Sequence, residues 1–253
     1  MKKKIGVAAV LGLLGLAALA GSASATGTCI APTFISFNVD TAFAFETSYT
    51  NATYTSAAGS ILTVMGKVVC FGPPFTALNG TGKEYSVVIS GLKSQGTVPS
   101  SPIPGTSVWD TDYNDPTGTP TFAVYEDNTP DLPGPTTIGS PAAALPLFDG
   151  SEAGVTTILS GTIDYFHTQI TKSSTNRWSG SFNALYHSTG GTLYGAVGNG
   201  QANLNGLWCS LGTGTQQCSE PAGYSAHPSG KFDQPGTTPA TATTWGRIKT
   251  IYR

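Results

Sequence analysis

The sequence predicts an all-β protein, an antiparallel β-sandwich of jelly-roll type with long Pro/Gly-rich loops. Three observations predict it. Apolar residues recur at every second position in one segment after another, the period that puts one face of a strand on a core. Turn dipeptides punctuate the chain at Asn79-Gly80, Asp149-Gly150, Asn199-Gly200 and Asn205-Gly206, where glycine supplies the left-handed backbone a tight turn needs. Beyond the N-terminus no stretch of ten residues carries helical periodicity with caps.

The strands follow in order. In Phe34–Asp40, Ile35, Phe37 and Val39 share a face; in Phe43–Tyr49, Phe43, Phe45, Thr47 and Tyr49 do. Ile61–Phe71 is a longer apolar run with Gly66 as a candidate bulge. Tyr85, Val87 and Ile89 alternate with Ser86, Val88 and Ser90, and Phe122–Glu126 is short. Val155–Ile170 reads as one long strand or as two broken near Ser160-Gly161. Trp178, Gly180, Phe182, Ala184 and Tyr186 line one face of the next strand, and Ser188-Thr189-Gly190-Gly191 turns it into Leu193–Val197. Trp245–Tyr252 reads as a last strand. Two regions read as loops: residues 99–146, which hold ten of the 17 prolines, and the Gly/Thr/Pro-rich residues 211–244. No internal repeat is visible, against a propeller or solenoid.

The N-terminus carries the pattern of a Sec-type signal peptide. Lys2, Lys3 and Lys4 precede an apolar run from Ile5 to Ala20, and Ala23-Ser24-Ala25 fits the small-x-small cleavage rule. The run is shorter than the roughly 20 residues that span a bilayer. Cleavage after Ala25 leaves one domain, residues 26–253, expected in the periplasm, at the cell surface or outside the cell. Without the three signal lysines, nine basic residues face 14 acidic ones, a charge of −5. The basic residues are scattered, so nucleic acid is excluded as a partner. No second membrane-length apolar segment follows. With 39% hydrophobic and 10% aromatic residues the chain is too apolar for a disordered one. Export puts the four cysteines in an oxidising compartment. Of the three possible pairings the sequence favours Cys29–Cys70, tying the N-terminus to a strand, and Cys209–Cys218, closing a loop.

Candidate chemistry is concentrated in acids. Asp110, Asp112, Asn114 and Asp115, with Glu126 and Asp127 further on, offer oxygen ligands for a hard cation such as Ca²⁺. The EF-hand pattern stops short, because Asp115 stands where that loop needs glycine and Thr121 where it needs glutamate. Trp109, in the acidic segment, and Trp208, beside Cys209, are candidates for stacking sugar rings. No Gly-x-Ser-x-Gly elbow is present, and His167, His187 and His227 form no zinc motif. His167 and His187 lie on strands that could be neighbours. Glu84, Glu126 and Glu152 are acids of the type glycoside hydrolysis uses, with nothing in the sequence to pair them. No catalytic residue is assigned.

Gly82–Leu92, Thr121–Asp127, Phe148-Asp149-Gly150 and Ile158–Ile163 together resemble secreted bacterial β-sandwich proteins of the PEP-CTERM and choice-of-anchor type. The resemblance covers residues 82–195 and implies a surface or exopolysaccharide-matrix location. The C-terminus departs from that pattern, with no Pro-Glu-Pro motif, apolar anchor or basic tail. The expected function is a secreted, non-enzymatic surface or extracellular-matrix protein acting through protein or glycan contacts. The alternatives are a calcium-assisted carbohydrate-binding module or glycan-active enzyme, and a filament subunit that self-associates through a sheet edge.

Overall fold

The computed structural model describes residues 27–50, 54–114, 118–134, 136–175, 178–209 and 221–235. The described residues form thirteen strands: β1 (Gly27–Thr28), β2 (Thr33–Glu46), β3 (Tyr49–Thr50), β4 (Thr55–Ser56), β5 (Ile61–Phe71), β6 (Glu84–Lys93), β7 (Thr97–Ser100), β8 (Ser107–Asp112), β9 (Thr121–Asp127), β10 (Thr156–Lys172), β11 (Trp178–Gly190), β12 (Gln201–Cys209) and β13 (His227–Asp233), with apolar alternation along the long ones. Helix α1 (Pro141–Phe148) lies between β9 and β10, and the single turn α2 (Tyr194–Val197) between β11 and β12. The expected strand at Leu193–Val197 is therefore mostly helical. The expected strand at Trp245–Tyr252, the signal segment 1–25 and the Cys209–Cys218 pair lie outside the described residues.

The predicted sandwich is corrected to a barrel. Strands β2, β5, β6, β9, β10, β11, β12 and β13 pair in that order, each antiparallel to the next, and β13 returns to pair with β2. Neighbours in this ring are neighbours in the chain, so the topology is a simple meander with excursions. Alternation and turns are common to a sandwich and a barrel; only the closing ladder separates them. That ladder uses β13, whose Pro228 and Gly230 make the segment read as loop.

β10, 17 residues long, organises one side. Its first half pairs with β9 and its second half with β8, while β11 runs along its other edge. The change of partner coincides with a bulge between Ile163 and Tyr165, as bulges bend and redirect a strand. β8 carries β7 beyond it. The acidic segment expected as a loop is thus partly strand.

The lumen is packed with rings. Phe122, Tyr186 and Phe232 meet with centroids 5.1–5.3 Å apart, and Phe166 stacks on Phe182 at 5.3 Å. Eight strands enclose a space that side chains alone can fill. One row shows how the fit is made: Phe182, Gly206, Gly230 and Phe37 stand side by side across β11, β12, β13 and β2. A Cβ on Gly230 would lie 2.4 Å from the Phe37 ring and 2.8 Å from the Phe182 ring. Asn205-Gly206 is therefore not a turn; its glycine makes room for a phenylalanine.

A second apolar cluster lies outside the wall, where Phe43, Met65 and Val88 are covered by Ala144, Phe148 and Tyr224. Glu84, buried on the same face, pairs with Lys67 and accepts the amides of Asp131 and Leu132 at 2.8 and 2.7 Å. Ser86 donates to the Phe148 carbonyl at 2.8 Å. These contacts strap the β9–β10 connection to the barrel. The Cys29–Cys70 disulfide is present and sits beside the parallel pairing of β1 with β5. Among the described residues no helix is long and apolar enough to cross a membrane.

Candidate functional site

With the lumen occupied by side chains, the surfaces open to a ligand are on the outside. One of them is a groove of about 630 Å³ across β11, β12, β13 and β2. Residues flanking the glycine row point outward and form its two banks. Asn183, Asn205, Lys231 and Ser36 stand opposite one another in one bank. Ser181, Leu207 and Ser229 form the other, with Asn38 beyond them on β2. The floor is the Gly206–Gly230 backbone, with the Phe37 and Phe182 rings behind it. At the β2 end the ladder with β5 breaks register between Phe37 and Ala42, and Val69 joins the lining there.

The chemistry of the groove is amide and hydroxyl. The side chains of Asn38, Asn183 and Asn205 make no hydrogen bond with the described residues. Leu207, 65% exposed, is an apolar member, and Lys231 is the single charge in the lining among the described residues. Among the described residues no acid contributes. These residues were legible in part, since Ser181 and Asn183 alternate with inward Phe182 and Ala184. Asn205 was hidden by its resemblance to a turn.

A second concavity, about 550 Å³, is lined by Tyr113, Asn114, Thr162, Asp164 and His187 among others. His187 Nδ1 lies 3.0 Å from Asp164, which also accepts Gln201 Nε2 at 2.8 Å. Burial alone would raise the Asp164 carboxyl, but the hydrogen bonds from Gln201, His187 and Thr162 outweigh it and hold it below the usual range. The Thr162 hydroxyl is 3.2 Å from both ring nitrogens of His187. Equal distances place it over the ring face, not in line with either nitrogen, so the ring does not address it as a base addresses a nucleophile. His167 is held separately, 2.8 Å from Asp112 and 3.3 Å from Asp110. The two histidines are on adjacent strands as expected, but His167 stands opposite Asn183, four residues or roughly 13 Å of strand from His187.

Of the six oxygen ligands expected for a cation, the five described ones are not brought to one point. Asp112 stands opposite His167 and Glu126 opposite Thr156, eleven residues or roughly 35 Å apart along β10. Asp110 accepts from Gln169 at 2.8 Å, and the Asn114 carboxamide accepts the Phe166 amide at 3.2 Å. Glu126 pairs with Lys83 and accepts the Tyr85 hydroxyl. Asp127 instead joins Asp131 and Glu152, whose oxygens lie within 4.8 Å of one another. Burial, then the neighbouring acids, raises the Asp131 and Glu152 carboxyls. Asp115 lies outside the described residues. Of the acids considered for glycoside hydrolysis, Glu84 is buried under the strap and Glu126 and Glu152 have the partners just given.

The tryptophans part company too. Trp208 is 3% exposed and packs inside the barrel against Phe166 and Phe182, so it is corrected from a stacking platform to core. Trp109 is half-buried and stacks on Trp178 at 5.4 Å, with Tyr54 against both. One half-buried acid had no signal in the sequence: Glu46, at the rim, accepts the hydroxyls of Ser56 and Ser60 at 2.6 and 3.1 Å and that of Tyr113. Burial raises its carboxyl above the ordinary range, and the three donors offset this only in part.

The fold and its surfaces define an eight-stranded up-and-down barrel with an aromatic lumen and a polar outer groove. Compared with known proteins, the chain matches no family model, no curated protein and no solved structure.

Proposed function

We propose that this is an exported, non-enzymatic surface or matrix protein that contacts glycan through the outer groove. The observation that carries the reading is the set of side-chain amides in a concave site that have no hydrogen-bond partner among the described residues. A hydroxyl-rich chain offers donors and acceptors for each of them. Export is supported by the signal pattern of residues 1–25 and by the Cys29–Cys70 disulfide, which favours an oxidising compartment. The wall of β10–β13 is polar outside and apolar inside, the reverse of a lipid-spanning barrel. Closure also removes most free edges, and β7, at the end of the sheet, carries Pro99. Strand addition into filaments is therefore a weaker reading than groove binding.

The test is affinity electrophoresis of residues 26–253 through gels containing extracellular polysaccharides. Retardation is expected, and Ser229→Trp, which fills the groove from an outward position, should abolish it. Retardation that survives Ser229→Trp, or none on any polysaccharide, contradicts the proposal.

A further inference from the structure

We infer that the groove takes an acidic polysaccharide, with Lys231 pairing a uronate-type carboxylate; this rests on the groove reading above. Lys231 differs from Lys67, Lys83 and Lys172, each of which has a group against its charge. Lys67 and Lys83 are paired with Glu84 and Glu126, and Lys172 lies 5.0 Å from the Trp178 ring centroid. Lys231 is exposed and meets no carboxylate or ring among the described residues. Its cross-strand neighbours in the bank are Asn205 on one side and Ser36 on the other. A carboxylate seated at the ammonium thus has an amide and a hydroxyl donor beside it, the setting in which charge-assisted hydrogen bonds form.

Two further features favour an anion over a neutral sugar. The aromatic rings at the groove, Phe37 and Phe182, are buried behind its glycine floor, so a neutral sugar finds no exposed ring to stack on. Among the described residues no acid lines the groove, although residues 26–253 are acidic overall. A polyanion repelled by the acidic surface is held where Lys231 stands, which makes that charge decisive.

The experiment is calorimetric titration of residues 26–253 with a short oligogalacturonate and with the same oligomer after its carboxyls are reduced to alcohols. The acidic form is expected to bind about tenfold tighter or more, the value of one hydrogen bond to a charged group. Lys231→Met should erase that preference, Lys231→Arg should keep most of it, and Ser229→Trp should remove binding of both forms. Equal binding of the two oligomers, unchanged by Lys231→Met but lost in Ser229→Trp, overturns the acidic specificity and leaves the groove reading standing. Binding of either form that survives Ser229→Trp overturns both. If neither oligomer binds while the gels still show groove-dependent retardation, the acidic inference alone fails.

Discussion

Replacing Gly230 by alanine puts a methyl group into space now held by two phenyl rings. The added carbon would sit 2.4 Å from Phe37 and 2.8 Å from Phe182, both well inside contact distance. Neither ring has room to retreat, since Phe37 and Phe182 are 1% exposed and Phe182 is already stacked on Phe166. Overpacking of this kind costs about 1–3 kcal/mol, which for a domain of this size lowers Tm by roughly 3–10 °C. The matched control is Gly195→Ala in α2, where a Cβ meets nothing within 4 Å. There the better helix propensity of alanine should leave Tm unchanged or raise it slightly. Thermal melts by circular dichroism of both variants decide the matter. A Gly230→Ala protein melting within about 1 °C of the parent would refute the claim that the glycine row is what lets the rings close the lumen.

Other consequences are as direct. The raised Glu46 carboxyl means the folded chain holds that proton more tightly than the unfolded one. Its contribution to stability therefore falls as pH rises from the unfolded value of 4.5 through the folded one. Urea titrations across that interval should show Glu46→Gln gaining on the parent as pH increases; a constant difference would count against it. Glu84→Ala strands Lys67 under the strap and should cost about 3–5 kcal/mol, with faster amide exchange at Asp131 and Leu132. Glu84→Gln, which keeps an acceptor for those amides, should be milder, and equal losses would show that the strap does not depend on them. Reducing Cys29–Cys70, which closes a loop with a sequence separation of 41, should destabilise the fold by about 4 kcal/mol. An unchanged denaturation midpoint in reductant would contradict this.

Strand periodicity was legible because the alternation is physical: Tyr85, Val87 and Ile89 face the lumen as their spacing demands. The Cys29–Cys70 pair was legible for a similar reason, as a short N-terminal segment beside a strand. Closure was not. Pro228 and Gly230 are poor strand residues on any local scale, and β13 holds its place through ladders to β12 and β2 that no local window contains. The same blindness shaped the acidic cluster. Asp110 to Asp127 are close in sequence, but Asp112 and Glu126 are set against opposite ends of β10. Proximity along the chain became distance in the fold. In the groove the reverse happened: Ser36, Asn183, Asn205 and Lys231 are scattered in the sequence and are aligned by register alone.

The most direct test of the groove as the contact surface is residue-by-residue NMR of residues 26–253 during titration with oligogalacturonate. The account predicts that the shifts concentrate at Asn183, Asn205, Leu207, Ser229 and Lys231, with His187 and Asp164 unmoved. Shifts centred on the His187 concavity, or on the Asp127, Asp131 and Glu152 acids, would place the function elsewhere on the barrel.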